Sequence, residues 1–172
     1  MSTYSCVDTI LHGATLGIKT GLPDAYVMLP WVGSSWQGQP AKGGLGFRAA
    51  VAHQGADWLR LRQTYPEDEF FLLGDFNQDM VTPGYYGTLA NRAALEAELR
   101  RAGLHAITAG AGDPVRRDSP RCASLDHICA RSDSKWSAEP AVRWPNAEVP
   151  ERSLSDHFGV SVELRQQAVL AP

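Results

Sequence analysis

The chain has 172 residues, a formal net charge of −3 at pH 7, 44% hydrophobic residues and 20% charged residues. These values are typical of one globular domain, and they exclude a disordered chain, a fibrous repeat and a disulfide-stapled miniprotein. The sequence pI of about 5.9 also excludes an overall basic surface of the kind that most non-specific nucleic-acid binders need.

The cysteines and the N-terminal residues bear on the compartment. The three cysteines form no closely spaced pair, so we expect reduced thiols rather than disulfides. The N-terminal residues lack a basic segment followed by an apolar run, and no stretch approaches the roughly 18 apolar residues of a membrane span. We therefore expect a cytoplasmic protein with no membrane span, whose oligomeric state the sequence leaves undetermined.

The first part of the chain predicts two strands, a loop and a long helix. Residues 6–18 and 25–29 are apolar and β-branched enough to form strands. A loop rich in Gly, Pro and Ser follows at 32–46. Over residues 47–65 the apolar side chains recur at helical spacing, which predicts an amphipathic helix that ends before Pro66.

The second part predicts more strands and a second helix. Residues 70–73 form a continuous apolar run, which is typical of a strand buried on both faces. Asn91 has the residue type of a helix N-cap, so we expect a helix from Asn91 to about Arg101. Further strands are predicted at 104–108, 125–130 and 158–164. Strands interspersed with two helices predict an α/β or α+β domain.

Polar side chains lie where three of these strands meet loops. They are Asp75 and Asn77 after the apolar run, Asp126 near the start of the next long strand, and Asp156 and His157 before the last strand. Carboxylates bind hard cations such as Mg²⁺ and activate water, whereas an amide or imidazole can donate to phosphate oxygens. This set of residue types suits phosphoester chemistry.

Each motif also has a purely structural interpretation. An Asp-x-Asn sequence is common in turns, and an Asp-His pair before a strand is common at the surface. Asp126 fits such an interpretation less well, because a carboxylate inside an apolar strand is unfavourable unless it is paired. His157 is a natural partner, since a carboxylate would hold one tautomer of the imidazole and raise its proton affinity.

The ordered combination of the three motifs is more specific than any one of them. Leu73-Gly74-Asp75-Phe76-Asn77, Leu125-Asp126-His127-Ile128 and Leu154-Ser155-Asp156-His157-Phe158 together resemble the endonuclease/exonuclease/phosphatase superfamily, which has the deoxyribonuclease I-like fold. The resemblance covers about residues 25–165 and includes Leu29-Pro30-Trp31. It implies a single α+β domain that forms part of a four-layer α/β/β/α sandwich.

The resemblance implies a role for each motif residue. Asp75 would orient and deprotonate the attacking water, and Asn77 would hydrogen-bond the nucleophile or a phosphate oxygen. Asp126 would orient His157, which would donate to the scissile phosphate, and Asp156 would face the divalent metal. The implied cofactor is Mg²⁺, with Mn²⁺ as the alternative, and the implied reaction is in-line attack of water on a phosphoester.

The sequence departs from the family pattern near its start. Family members open with a strand that carries a metal-site Asn, followed by a strand that ends in a metal-binding Glu, and this sequence contains no match to either. We therefore expect the chain to correspond to the C-terminal two-thirds of the domain, lacking N-terminal strands, with weak or absent activity. The alternative is a non-catalytic remnant that serves as an interaction module. The substrate, nucleic acid or small phosphoester, is not decided.

Three arginines precede the strand that contains Asp126. Arg116, Arg117 and Arg121 lie in a predicted loop, where they could clamp a substrate phosphate or simply be solvated.

Other conspicuous residues favour structural roles. His127 is predicted to lie on the strand face opposite Asp126, where packing or a hydrogen bond is favoured over metal ligation. Trp31, Trp36 and Trp58 are interpreted as core or loop anchors rather than as platforms for base stacking.

Overall fold

The computed structural model describes residues 4–8, 24–81, 84–144 and 158–166. Within these ranges, residues 4–8, 24–26 and 144 are described by their backbone alone. The predicted strand over 6–18 therefore falls largely outside the described residues.

The described residues contain eight strands and three α-helices, together with short 3-10 turns at Lys42–Gly44 and Gly110–Gly112. The strands are β1 Tyr4–Asp8, β2 Asp24–Met28, β3 Phe71–Asp75, β4 Leu104–Ala106, β5 Asp126–Arg131, β6 Trp136–Ala138, β7 Val142–Trp144 and β8 Gly159–Gln166. The helices are α1 Leu45–Thr64, α2 Leu89–Arg101 and α3 Pro114–Asp118.

The strands form two four-stranded sheets. In one sheet the order is β2-β3-β5-β4, with β2 parallel to β3 and the other neighbours antiparallel. In the other sheet β8 pairs antiparallel with β1, β6 and β7. Mixed helices and two sheets confirm the predicted α+β class.

The alternating side chains of β3 divide the core in two. Phe71 and Leu73 pack with Val160 and Val162 of β8, so one face of the first sheet is covered by the second sheet. On its other face, Leu72 packs in a cluster with side chains of α1 and α2. Because β3 is buried on both faces, its sequence is a continuous apolar run, as the sequence predicted. Helices, first sheet and second sheet thus account for three of the four layers expected.

The second helix begins earlier than the sequence predicted. Its N-cap is Thr88, whose side-chain oxygen accepts a hydrogen bond from the Asn91 backbone N–H. The prediction of Asn91 as the cap was therefore wrong. Asn91 lies inside the first turn, where its Oδ1 accepts a hydrogen bond of 2.9 Å from Arg48 Nη1 of α1. The Asn91 side chain is therefore engaged in a contact with α1 rather than in capping α2.

Gly74 lets two strands approach closely next to the end of β3. Its φ of 136° is in the positive region that residues with a Cβ rarely adopt. A Cβ at this position would also lie 2.1 Å from the Val27 carbonyl oxygen of the neighbouring strand. Glycine is therefore required here for both backbone conformation and packing, directly before Asp75.

We expect Gly74→Ala to lower the free energy of unfolding by about 3–4 kcal/mol, because it adds a backbone clash to an unfavourable φ. The matched control is Gly103→Ala, where φ is 69° and no atom lies within 4 Å of the added Cβ. The control should cost only about 1–2 kcal/mol. Urea unfolding of both variants measures the difference, and equal losses would contradict the close-approach argument.

Candidate active site

The candidate site lies at one edge of the first sheet. The pairing register places Asp75, the last residue of β3, beside Met28 at the end of β2 and opposite Asp126 at the start of β5. Directly opposed residues on an antiparallel pair lie on the same face of the sheet. The structure thus brings together Asp75 and Asp126, which are 51 positions apart in the chain.

The backbone around Asp75 is hydrogen-bonded on both sides. The Leu29 N–H donates to the Asp75 carbonyl at 2.9 Å, and the Phe76 N–H donates to the Leu125 carbonyl at 2.9 Å. Strand pairing therefore continues past Asp75 on both flanks. The sheet holds the start of this loop in one position, which is a requirement for a catalytic side chain.

The carboxylate of Asp75 is oriented by Asn77. Its Oδ1 accepts from the Asn77 backbone N–H and its Oδ2 accepts from Asn77 Nδ2, both at 2.8 Å. Asn77 has a φ of 46°, a left-handed conformation that Asn tolerates better than most residues. The turn expected of an Asp-x-Asn sequence is thus present, and the same hydrogen bonds that form it also orient the Asp75 carboxylate.

The Asn77 side-chain amide has a defined orientation. Its Nδ2 donates to Asp75 Oδ2 and also to the Leu29 carbonyl, each at 2.8 Å. Since both partners are acceptors, the atom that contacts them must be the nitrogen. Both N–H groups are therefore used within the protein, and the oxygen Oδ1 is the amide atom left to interact with a ligand.

Asp126 is only 3% exposed, and the residues before it are tied to a second buried carboxylate. Ser124 Oγ donates to the Asp126 carbonyl at 2.6 Å. The Ser124 N–H in turn donates to Asp113 Oδ2 at 2.9 Å. Asp113 also caps α3 by accepting from the backbone N–H groups of Val115 and Arg116. One buried aspartate thus fixes the start of β5 relative to α3.

The arginine cluster is only partly in a loop. Arg116 and Arg117 lie in α3, which corrects the loop prediction: Asp113 and Pro114 supply an N-cap and a favourable first helical residue. Arg117 Nη2 donates to the Ala141 carbonyl at 3.0 Å, so this side chain connects α3 to the residues before β7. Arg116 is half-buried and Arg121 is exposed.

The two remaining predicted residues, Asp156 and His157, lie outside the described residues. Their roles stay predictions.

A buried network that the sequence reasoning missed supports the loop after Asn77. The Asp79 carboxylate, fully buried, accepts from the backbone N–H groups of Tyr85 and Tyr86. Arg92 of α2, 7% exposed in its side chain, pairs with Asp79 Oδ1 at 2.5 Å. A signal was available in retrospect: an arginine three positions before Leu95 lies on the buried side of an amphipathic helix and needs an acidic partner.

Gln78 completes this network. Its Nε2 donates to the Tyr86 carbonyl at 2.9 Å, and its Oε1 accepts from the Thr88 N–H at 3.3 Å. The Tyr86 side chain lies close to the site as well. Burial and then the charge of Asp75 raise the pKa of Tyr86, against the opposing effect of a hydrogen bond with the Val32 backbone. Segments 29–32 and 84–88 are therefore both adjacent to Asp75.

His127 packs against the loop that follows β3. It packs edge-on against Phe76 with ring centroids 5.7 Å apart, and its Nε2 lies 3.3 Å from the Gln78 carbonyl oxygen. Since a carbonyl oxygen only accepts, Nε2 carries the proton. His127 thus contacts the residues on both sides of Asn77. The geometry agrees with packing and hydrogen bonding, as the sequence analysis favoured.

Comparison with protein-family models identifies the family to which the chain belongs. The model of the endonuclease/exonuclease/phosphatase family matches residues 9–157, a range that contains the first two motifs and the third as far as His157. The chain belongs to this family. Family membership carries the deoxyribonuclease I-like fold, and the family generally comprises hydrolases acting on phosphoesters. Comparison with the curated proteins found no match.

In this family member, no helix among the described residues is long and apolar enough to cross a membrane.

We expect His127 to make stability depend on pH. Burial lowers its pKa below the ordinary value of 6.5, while Asp113, the Gln78 carbonyl, Asp126 and Asp79 oppose the shift. Because the folded pKa is the lower one, the unfolded chain takes up the proton first, and stability is lost as pH falls from about 6.5 through the folded pKa. The slope attributable to this residue is at most about 1.4 kcal/mol per pH unit.

Urea unfolding between pH 7.5 and pH 5 measures this effect in wild type, His127→Phe and His127→Gln. Both variants should show a weaker loss of stability on acidification, since neither side chain titrates. Gln also retains a donor for the Gln78 carbonyl and should be the more stable of the two at pH 7.5. A pH dependence unchanged in both variants would contradict the assignment.

Proposed function

We propose that this chain is a divalent-metal-dependent phosphoester hydrolase in which Asp75 orients and deprotonates the attacking water. The observation that carries the proposal is the fixed Asp75 carboxylate, held by Asn77 and paired in register with Asp126 at the edge of the sheet. A positioned carboxylate is a suitable general base, and membership of a hydrolase family supports this chemistry. Water would attack phosphorus in line, the bond to the leaving oxygen would break, and no covalent enzyme intermediate would form.

The geometry favours one of the two roles considered for Asn77. Its N–H groups are committed to Asp75 and Leu29, so the side chain offers an acceptor rather than a donor. An acceptor can hold a water hydrogen, whereas it would repel an anionic phosphate oxygen. We therefore assign Asn77 to positioning the nucleophilic water beside Asp75.

His157 and Asp126 are proposed as the pair that acts on the phosphate. Asp126, almost fully buried, would hold the imidazole of His157 in one tautomer. His157 would donate to the scissile phosphate, where negative charge increases in the transition state. Arg116 and Arg121 are proposed as additional phosphate contacts, since Asp113 places their segment next to the start of β5.

The proposed cofactor is Mg²⁺ or Mn²⁺. The donor chemistry fits a hard cation, because such cations prefer carboxylate oxygens and we propose the Asp156 carboxylate as the principal ligand. No group of three or more His, Cys, Asp or Glu side chains able to hold a metal occurs within the described residues. The metal, when bound, would polarise the phosphoryl oxygen. With few carboxylates available, we expect weak metal binding and slow turnover by this chain.

We expect Asp75→Asn to reduce hydrolysis of bis-p-nitrophenyl phosphate about 10²- to 10⁴-fold, the usual contribution of a general base. The assay uses high protein concentration with Mg²⁺ or Mn²⁺, and EDTA should abolish the turnover. The matched control is Asp57→Asn, which changes an exposed aspartate of α1 whose ion pair is with Arg60. Turnover that Asp75→Asn leaves unchanged would contradict the proposal, and the absence of any turnover would favour the non-catalytic interaction module.

A further inference from the structure

Two segments that border the candidate site carry no charged residue. Residues 28–41 and 80–91 contain no Asp, Glu, Lys or Arg, although 20% of the whole chain is charged. Both are adjacent to the site: Leu29 accepts from Asn77 Nδ2, and Tyr86 is held by Gln78 and Asp79. This side of the site is therefore bordered by uncharged chain.

Trp31 is the largest exposed apolar side chain on this border. It is 50% exposed, whereas Trp58 is buried as expected. A Cβ added at Gly33 would lie 2.1 Å from Trp31 Cζ3, so the indole rests directly on the Gly33 backbone. Contact on one side and exposure on the other leave the ring supported yet accessible.

The position of Trp31 relative to the loop of Asp75 to Asn77 follows from the contacts of its neighbours in the chain. Leu29, two residues before it, is hydrogen-bonded to Asn77 and to the Asp75 carbonyl. Val32, the next residue, has its backbone within hydrogen-bonding reach of the Tyr86 side chain. Trp31 therefore belongs to a segment that contacts the Asp75–Asn77 loop through Leu29.

The opposite side of the site is bordered by charged residues. There β5 begins with Asp126, and the preceding segment carries Arg116 and Arg121. Asp113 links that segment to the residue two positions before Asp126. Across β2, β3 and β5, the border thus changes from uncharged and aromatic to arginine-bearing.

From this asymmetry we propose that the substrate is a small phosphoester with one phosphate, whose alcohol is uncharged and carries a flat ring that packs on Trp31. The inference rests on the proposed function, since it names the substrate class of the same site. A polynucleotide would place further phosphates on both sides of the scissile one, and such phosphates require cationic contacts. The Trp31 side offers an indole instead, which suits an uncharged ring.

Equilibrium binding to the full chain tests the substrate class without relying on turnover. Phenyl phosphate and methyl phosphate have the same charge and differ in the ring, and Asp75→Asn prevents their hydrolysis during the measurement with Mg²⁺. We expect phenyl phosphate to bind about 3- to 10-fold more tightly than methyl phosphate. Adding Trp31→Ala should reduce this ratio to about one, and Trp31→Phe should retain part of it.

The matched control is Tyr65→Ala, which removes an equally exposed aromatic side chain, 50%, directly after the far end of α1. It should leave the ratio unchanged. A ratio near one in the parent chain, or a ratio that Trp31→Ala does not alter, would overturn the inference. A thymidine oligonucleotide that binds more tightly than phenyl phosphate and loses affinity in Trp31→Ala would overturn it in favour of nucleic acid.

The same experiments separate this inference from the proposed function. If bis-p-nitrophenyl phosphate turnover depends on Asp75 but the binding ratio does not depend on Trp31, hydrolysis stands and the substrate class is wrong. If the ratio depends on Trp31 while turnover is absent, the ring-binding surface exists but the hydrolase assignment fails.

Discussion

The ion pair between Asp79 and Arg92 is the constraint on which the geometry of the candidate site depends. Both side chains are almost entirely buried, and Asp79 also accepts from the backbone N–H groups of Tyr85 and Tyr86. Removing one partner of such a pair usually costs about 3–5 kcal/mol, because the other charge is left buried without compensation. The pair therefore ties α2 and the 84–88 segment to the loop that follows Asn77. Replacing both partners of a buried ion pair by apolar residues is often neutral for net stability, so we infer that this pair serves to hold the loop in a single position.

Different residues support the loop after β3 and carry the proposed chemistry. On the helical side of the first sheet, His127 and Phe76 pack beneath the loop, and Gln78 and Asp79 fix its continuation. Asp75 and Asp126 lie on the other face, where the sheet alternation directs them, and Asn77 orients the Asp75 carboxylate. The carboxylates are thus held by the strands and the buried network, so they need not be ordered when a substrate binds. The two sides of the site also differ in charge, with uncharged segments and Trp31 on one side and an arginine-bearing segment on the other.

The sequence predicted those features that depend on local pattern. The continuous apolar run at 70–73 predicted a buried strand because both faces of β3 are covered, and the ends of such strands drew attention to Asp75, Asn77 and Asp126, whose catalytic roles stay predictions. Long-range contacts were not predictable in this way. Asn91 was predicted as the cap, because the contact with Arg48 of α1 that engages its side chain cannot be read from the local sequence. The Asp79–Arg92 pair spans 13 positions, and no periodicity connects a loop acid to a helix arginine. The degree of exposure of Trp31 could not be predicted either, since it depends on which residues pack against the indole.

We expect Asp79 to affect catalysis only by holding Asp75 and Asn77 in place. A double-variant cycle of Asp79→Asn and Asp75→Asn checks this through kcat for bis-p-nitrophenyl phosphate, measured well below the unfolding temperature of every variant. Asp79→Asn alone should lower kcat by about tenfold or more, and it should have almost no further effect once Asp75 is replaced. A wild-type kcat in Asp79→Asn, or losses that simply multiply in the double variant, would contradict it.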